Sequence, residues 1–293
     1  MEQRSSSQRP RRPTASRQRR GSAGPPTRRR RRSTTGRRVL VAMPWIVIAL
    51  VAIYVGEPLF LALLLVLGVA ALGELYGLLR RARPVALAGI LGMAALVLAA
   101  HYGDQFQMVL ALALSVLVTF LLMLARGTRR YATLAIAVTM LGVVWVGLGL
   151  AHAVLLRDLD HGDGLIIDVL LATFIGDTGA YFGGRLWGMR PLAPHISPNK
   201  TVEGLIAGFI AGTLAFWLAG LYQDWLSGLD ALAIGACVAA VAPLGDLFES
   251  LIKRDLGVKD TGRFFGVHGG VLDRLDAAFF TVVVAYYMAV ALI

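Results

Sequence analysis

Cysteine is nearly missing: Cys237 is the single one in 293 residues. One cysteine excludes a disulfide framework or a cysteine-based zinc site within the chain. Cys237 reads as a small apolar residue packed in a helix. Charge is scarce as well, at 16% Asp, Glu, Lys and Arg against 57% hydrophobic residues, outside the balance of ordinary soluble domains. In its place run continuous apolar stretches of about 17–25 residues, the length that a ~30 Å hydrocarbon layer asks of a helix. They lack the every-second-residue alternation of a transmembrane barrel. The expected fold is therefore all-α, a polytopic integral membrane protein with about nine transmembrane helices. No G-x-x-x-x-G-K-[ST] stretch occurs, which excludes a P-loop.

Acid is what residues 1–38 lack. They hold 14 Arg against Glu2, a net +13, while the other 255 residues carry 15 basic and 17 acidic groups, a net −2. The basicity belongs to this tail. Its Arg, Ser, Pro, Gly and Thr cannot build a core, so disorder is expected. It is not a secretory signal, because no cleavage site follows and the next apolar run leads into more spans. Aromatic residues do not interleave with Arg28 to Arg32. These arginines are expected to meet anionic lipid headgroups, with no nucleic-acid partner.

Apolar runs predict spans at 39–55, 58–79, 85–101, 107–125, 132–154, 164–182, 204–223, 231–251 and 271–292. With the N-terminus cytoplasmic and the C-terminus outside, 28 of 29 Lys and Arg fall on the cytoplasmic side, leaving only Arg157 outside. The positive-inside rule favours that orientation. The outer connections instead hold Glu57, Asp104, Asp158, Asp160, Asp163, Asp224 and Asp230. Residues 39–293 are expected to form a transmembrane catalytic domain, with 39–163 as scaffold spans and 164–293 as active-site spans and loops. The long cytoplasmic connections 183–203 and 252–270 carry most of the chemistry-bearing residues, as long loops between packed helices often do.

Asp246 and Glu249 lie three apart in the eighth span, on one helical face. Asp273 and Asp276 repeat that spacing in the ninth, around Arg274. Two helices entering from one side could bring Asp246 and Asp273 around a hard cation such as Mg²⁺, which prefers oxygen ligands and shares its shell with phosphate. The same residues also suit a salt-bridge cluster with Lys253, Arg254 and Arg274. Lys253, Arg254, Lys259 and Arg263 lie between the carboxylate pairs, followed by His268, Gly269 and Gly270. Such cations suit a polyanionic substrate, and glycines at a helix start admit phosphate; an ordinary basic loop accounts for them equally. Upstream, Asp177, Tyr181 and Gly183 close the sixth span, and Ser197, Asn199, Lys200, Thr201 and Glu203 precede the seventh. Lys200 and its hydroxyl and amide neighbours are donors for phosphate or base, while Glu203 also suits a helix cap. Glu74 and Asp168 read as hydrogen-bonding partners between helices. His101, His152 and His161 show no metal-ligand spacing, and His195 reads as a solvated loop residue.

The stretch from Ser250 to Asp276 closely resembles the signature of the phosphatidate cytidylyltransferase (CDP-diacylglycerol synthase) family. Ser250, Lys253, Arg254, Lys259, Asp260, His268, Gly269, Gly270, Asp273, Arg274 and Asp276 stand at the family's spacing. The blocks around Asp177–Tyr181 and Ser197–Gly204 look like two further conserved blocks, although the family commonly has Lys where Asn199 stands. The resemblance covers about 175–276 and leaves out the tail. It implies transfer of a cytidylyl group from CTP to phosphatidic acid, with pyrophosphate released. It also implies Mg²⁺ on Asp246 and Asp273, a second cation being left open, and a homodimer in the inner membrane with its site open to the cytoplasm and the lipid. On this reading Ser197 and Lys200 contact CTP, and Lys253, Arg254, Lys259 and Arg274 engage phosphates. Asp260 and Asp276 orient those cations. A CTP-dependent lipid kinase, a cytidylyltransferase for another lipid and a cation or proton transporter are the competing readings; no inverted repeat favours the last.

Overall fold

A computed structural model describes residues 35–127, 130–262 and 269–293. Residues 1–34, with nearly all of the expected tail, lie outside the described residues, as do Arg263 and His268.

Each apolar run of the sequence forms a helix, the shape that satisfies a backbone inside hydrocarbon from within one segment. In chain order these are α1 (Thr35–Val55), α2 (Leu59–Leu78), α3 (Ala86–Tyr102) and α4 (Gln105–Ala125). A three-residue 3₁₀ turn, Arg80–Ala82, follows α2. α5 (Ala132–Gly142) runs through a π-helical turn at Val143–Gly147 into α6 (Leu148–Arg157), and α7 (Gly162–Trp187) comes next. A hairpin of β1 (Pro191–Ala193) and β2 (Ser197–Thr201) leads to α8 (Val202–Gly220) and α9 (Gly228–Asp255). The short α10 (Leu272–Leu275) and α11 (Ala278–Leu292) close the chain.

Seven of these segments are long and apolar enough to cross a membrane: Leu59–Leu78, Gln105–Ala125, Ala132–Arg157, Gly162–Trp187, Val202–Gly220, Gly228–Asp255 and Leu272–Leu292. Two shorter apolar helices, Met43–Val55 and Ala86–Tyr102, fall on the remaining expected runs. The chain is a polytopic integral membrane protein. Helix starts follow the sequence closely. Asp104 caps α4 by accepting from the amides of Phe106 and Gln107, and the Gln107 side chain returns to the Asp104 amide, a capping box. Ser227 caps α9 and Thr201 caps α8. α1 begins at Thr35, four residues before the expected first span.

α3 packs on α4 and α6, while α7, α8, α9 and α11 pack together around the other side. Trp145 of the π-helical turn joins the two groups, lying edge-on to Phe248 of α9 with centroids 4.8 Å apart and to Phe279 of α11 at 6.1 Å. α4 leaves Val109, Leu114, Phe120 and Leu124 exposed, as suits a helix against lipid.

α7 and α8 pack along a glycine seam. A Cβ on Gly208 would lie 2.8 Å from the Ala180 Cβ and 2.9 Å from the Gly176 carbonyl oxygen, so only a hydrogen side chain lets the backbones approach. The expected connection at 183–203 is shorter as a result. Gly183 and Gly184 do not end the helix but face α8, and α7 continues to Trp187.

The remaining connection is not a plain loop. β1 and β2 pair antiparallel with Pro191 opposite Thr201 and Ala193 opposite Ser197, an addition to the expected all-α fold. Two features of the chain stabilise it locally. The Ile196 amide donates to the Ala193 carbonyl at 3.1 Å to form the turn. Glu203 Oε2 accepts from the amides of Met189 and Arg190 at 3.0 and 3.1 Å. Pro191 and Pro198 lack the amide hydrogen that would extend the ladder further.

Candidate active site

Lys253 shows how the site is assembled. It projects from the last turns of α9, one helical turn beyond Glu249, and its ammonium meets Glu249 Oε2 at 2.5 Å and Asp273 Oδ1 at 3.0 Å. Two helices from distant parts of the chain are thus joined by one cation. The Glu249 side chain is 2% exposed and the Asp273 side chain 10%, so the three charges depend on one another.

Asp273, at the start of the last span, is also held by backbone. The Gly270 amide donates to its Oδ2 at 2.8 Å, and the Thr261 amide donates to Oδ2 at 3.0 Å. Gly269 adopts a φ of +88°, and a Cβ there would meet Asp273 Oδ2 at 2.8 Å. Both the left-handed backbone and the close approach call for glycine. The expected phosphate-binding turn at Gly269–Gly270 therefore wraps a carboxylate of its own helix.

A second group lies alongside. Asp246, Glu249 and Asp276 can each offer an oxygen such that all three lie within 4.8 Å of one another. Glu249 Oε1 is buried and has no hydrogen-bond partner among the described residues. The helices meet here because Gly245 lets α9 approach the backbone of Asp276 and Ala277, where a Cβ would stand 2.5 Å from the Asp276 carbonyl oxygen. The sequence pairs Asp246 with Asp273; the structure groups Asp246 with Glu249 and Asp276 and places Asp273 across Lys253. Glu249 is the member that sequence reasoning left without a role. Its signal was its spacing, three residues after Asp246 and four before Lys253.

The hairpin closes the site from the side. Lys200 on β2 pairs with Asp246 Oδ2 at 2.5 Å, and Ser250 donates to Asp246 Oδ1 at 3.3 Å. Asp177 of α7 lies close enough to Asp246 and Lys200 to feel both charges. Arg254 Nε donates to the Ile196 carbonyl at 3.0 Å, tying α9 to the hairpin turn. Ser197, Asn199 and Thr201 share β2 with Lys200; Thr201 accepts from the Gly204 amide at 3.1 Å as the cap of α8. Glu203 grips the backbone before β1, and Tyr181 accepts from Arg185 Nη1 at 3.0 Å on α7. Lys259, Asp260 and Arg274 are exposed around the same end of the bundle, and the His268 expectation lies outside the described residues.

Glu74 of α2 belongs to this assembly although it lies in the expected scaffold. Its Oε2 accepts from the Leu272 amide at 3.0 Å and from the Thr261 hydroxyl at 3.4 Å, while Oε1 is buried without a partner among the described residues. Added Cβ atoms at Gly262 and Gly270 would run into its carboxylate. A carboxylate in an apolar span is the sequence signal; its partner, 198 residues away, is not visible there. Asp168 follows its expectation, accepting from Gln223 Nε2. His101 has no metal-ligand spacing in the sequence, and the structure gives it carboxylate partners from two other segments. At the other end of the bundle its ring meets Glu57 at 2.6 Å and Asp158 at 2.9 Å, a grouping that exists only in space.

The cytidylyltransferase family model matches residues 36–292. The phosphatidate cytidylyltransferase of Staphylococcus haemolyticus is 31% identical over 252 residues, covering 83% of this chain and 94% of that one. That of Staphylococcus saprophyticus is 37% identical over 153 residues, 52% of this chain and 58% of the relative. That of Mycobacterium leprae is 40% identical over 148 residues, 49% of this chain and 46% of the relative. The chain thus spans about half the length of the last two relatives and nearly all of the first.

Proposed function

Because the chain belongs to the cytidylyltransferase family, we propose that it is a CTP:phosphatidate cytidylyltransferase serving phospholipid biosynthesis. A phosphate oxygen of phosphatidic acid forms a bond to the α-phosphorus of CTP. The bond from that phosphorus to the bridging oxygen of the β-phosphate breaks, and pyrophosphate leaves with the electron pair. CDP-diacylglycerol stays in the membrane. The observation that carries this reading is the convergence of Asp246, Glu249 and Asp276 with Lys200 and Lys253 at one end of the bundle.

The residues fit a hard divalent cation. Three carboxylates within 4.8 Å of one another and a buried Glu249 oxygen without a partner form an all-oxygen donor set, the kind that Mg²⁺ takes. Asp246, Glu249 and Asp276 would hold it, with Asp273 reaching the same group through Lys253. When bound, Mg²⁺ neutralises charge on the triphosphate.

The chain's own residues do the rest. A phosphomonoester has its second pKa near ~6, so phosphatidic acid is largely a dianion at neutral pH and needs no dedicated general base. What it needs is a surface that brings two polyanions together, so positioning and charge stabilisation carry the catalysis. Lys200, held beside Asp246, and Ser197 on the same strand contact CTP. Lys253, fixed between Glu249 and Asp273, presents a cation at the reacting phosphates, and Arg254, Lys259 and Arg274 add further positive charge around it. The same proposal takes the seven long apolar helices with the two shorter ones as nine spans, with the N-terminus and this site on the cytoplasmic face of the inner membrane, where CTP is, as the distribution of Lys and Arg favours, and takes the enzyme to be a homodimer.

The test is turnover by the purified protein in liposomes. Labelled CTP and phosphatidic acid should yield CDP-diacylglycerol and pyrophosphate only with Mg²⁺ present. Ion flux across the liposome with no nucleotide turnover would overturn the enzyme reading in favour of a transporter.

A further inference from the structure

Away from the carboxylates, Arg80, Arg81, Arg83 and Arg130 line an open cleft of about 570 Å³ whose remaining wall includes Tyr131 and Leu134. The first three come from the 3₁₀ turn after α2 and its C-cap, and the last two open α5. The backbone is bent to form it: Arg83 and Tyr131 both have positive φ, at 54° and 60°, a conformation that non-glycine residues adopt at a cost. Arg130 lies over the Tyr131 ring at 4.9 Å and donates to its hydroxyl at 3.1 Å, which turns it along the cleft wall.

The described lining of the cleft includes no acid. Among the described residues no ion pair joins any of the four arginines to a carboxylate. The sequence explains why. Between Glu74 and Asp158 the only acid is Asp104. Asp104 caps the first turn of α4, whereas Arg126, at the other end of that 21-residue helix, reaches the Pro84 carbonyl beside the cleft. At 1.5 Å per residue that puts Asp104 roughly 30 Å away, beyond a Debye length at physiological salt. Glu74 is engaged by Thr261 and Leu272. The positive-inside rule accounts for arginines on one side of a membrane protein, but not for four of them around one cavity with an aromatic and an aliphatic wall.

We propose that this cleft binds the headgroup of an anionic glycerophospholipid of the surrounding leaflet, as an accessory lipid site distinct from the carboxylate cluster. The guanidinium groups hold the phosphate by charge-assisted, bidentate hydrogen bonds, and Tyr131 and Leu134 face the glycerol and the upper acyl chain. The inference does not rest on the enzymatic reading above.

The experiment uses the purified full chain in a zwitterionic detergent with short-chain phosphatidylglycerol as probe, short-chain phosphatidylcholine and inorganic phosphate as controls. Saturable binding of phosphatidylglycerol is expected, with the other two bound at least about tenfold more weakly. Each Arg→Gln change in the cleft should weaken it on the order of fivefold, as one surface cation contributes to an anionic membrane. The R80Q/R81Q/R83Q/R130Q variant should lose it, and the matching Arg→Lys set should regain part of it. The thermal unfolding profile identifies folded variants; if the quadruple variant unfolds, the R81Q/R130Q pair takes its place. Undiminished phosphatidylglycerol binding in the folded quadruple variant, or in the R81Q/R130Q pair that replaces it, overturns the proposal. Equal binding of phosphatidylcholine also overturns it. Inorganic phosphate binding as tightly as the lipid replaces it with a free-phosphate site.

Discussion

Removing the Glu74 carboxylate should disturb the site from 198 residues away in sequence. In Glu74→Ala the Leu272 amide and the Thr261 hydroxyl lose their acceptor, and both residues are buried. A buried donor left unsatisfied costs about 1–3 kcal/mol, and the space left by the side chain adds to it. The two donors flank the turn that holds Asp273, so the loss falls on the geometry of Asp273 and Lys253. If the penalty of one such donor appears in the transition state, turnover falls roughly 5- to 150-fold. Glu74→Gln keeps an acceptor of the same shape at Oε2 and should stay near the parent rate. Initial rates in liposomes over a range of CTP and phosphatidic acid concentrations, with thermal unfolding of each variant, separate the effects. A fall in kcat with KM little changed marks a positioning residue. Parent values of kcat, KM and unfolding temperature in Glu74→Ala would refute the reasoning.

Asp246→Asn and Asp273→Asn are each expected to abolish turnover while the protein still inserts, as read by labelled-CTP assay and membrane fractionation. Asp276→Asn and Glu249→Gln should raise the Mg²⁺ concentration for half-maximal rate, which a metal titration at fixed CTP measures; unchanged curves would remove them from the donor set. Lys253→Met leaves two largely buried carboxylates facing each other. Breaking such a group costs about 3–5 kcal/mol, visible as a lower unfolding temperature in addition to lost activity. Gly208→Leu forces side-chain atoms into the α7–α8 seam at a cost of about 1–3 kcal/mol or more, and should lower the unfolding temperature. Deletion of residues 1–30 is expected to leave turnover intact.

The helices were legible in the sequence because hydrocarbon imposes a length and a composition on each one. The caps at Asp104, Thr201 and Ser227 were not read from the sequence, although each is a local hydrogen bond to an amide two or three positions on. The carboxylate pairs were visible as i, i+3 spacings. Their partners were not. Whether Asp246 faces Asp273 or Asp276 depends on how α9 and the last span are rotated, which Gly245 decides by backbone approach. Lys200 meets Asp246 only because the hairpin folds back, and that hairpin was hidden because Ser197–Thr201 has neither alternation nor strong strand propensity. Glu203, which suits a helix cap by position, instead accepts from two amides before β1. Gly183 and Gly184 read as a helix end yet serve a helix–helix contact, since glycine permits both.

The lengths of α7 and α9 have a consequence for where the reaction takes place. At 26 and 28 residues they run about 39 and 42 Å, against a hydrocarbon layer of ~30 Å. Counted from Gly228, Asp246 lies about 27 Å along α9, close to one hydrocarbon thickness from the start of the helix. On the function proposed above, a lipid substrate would react within its own leaflet while the nucleotide comes to the interface, and the thickness of the bilayer would set the depth of Asp246 and Asp276.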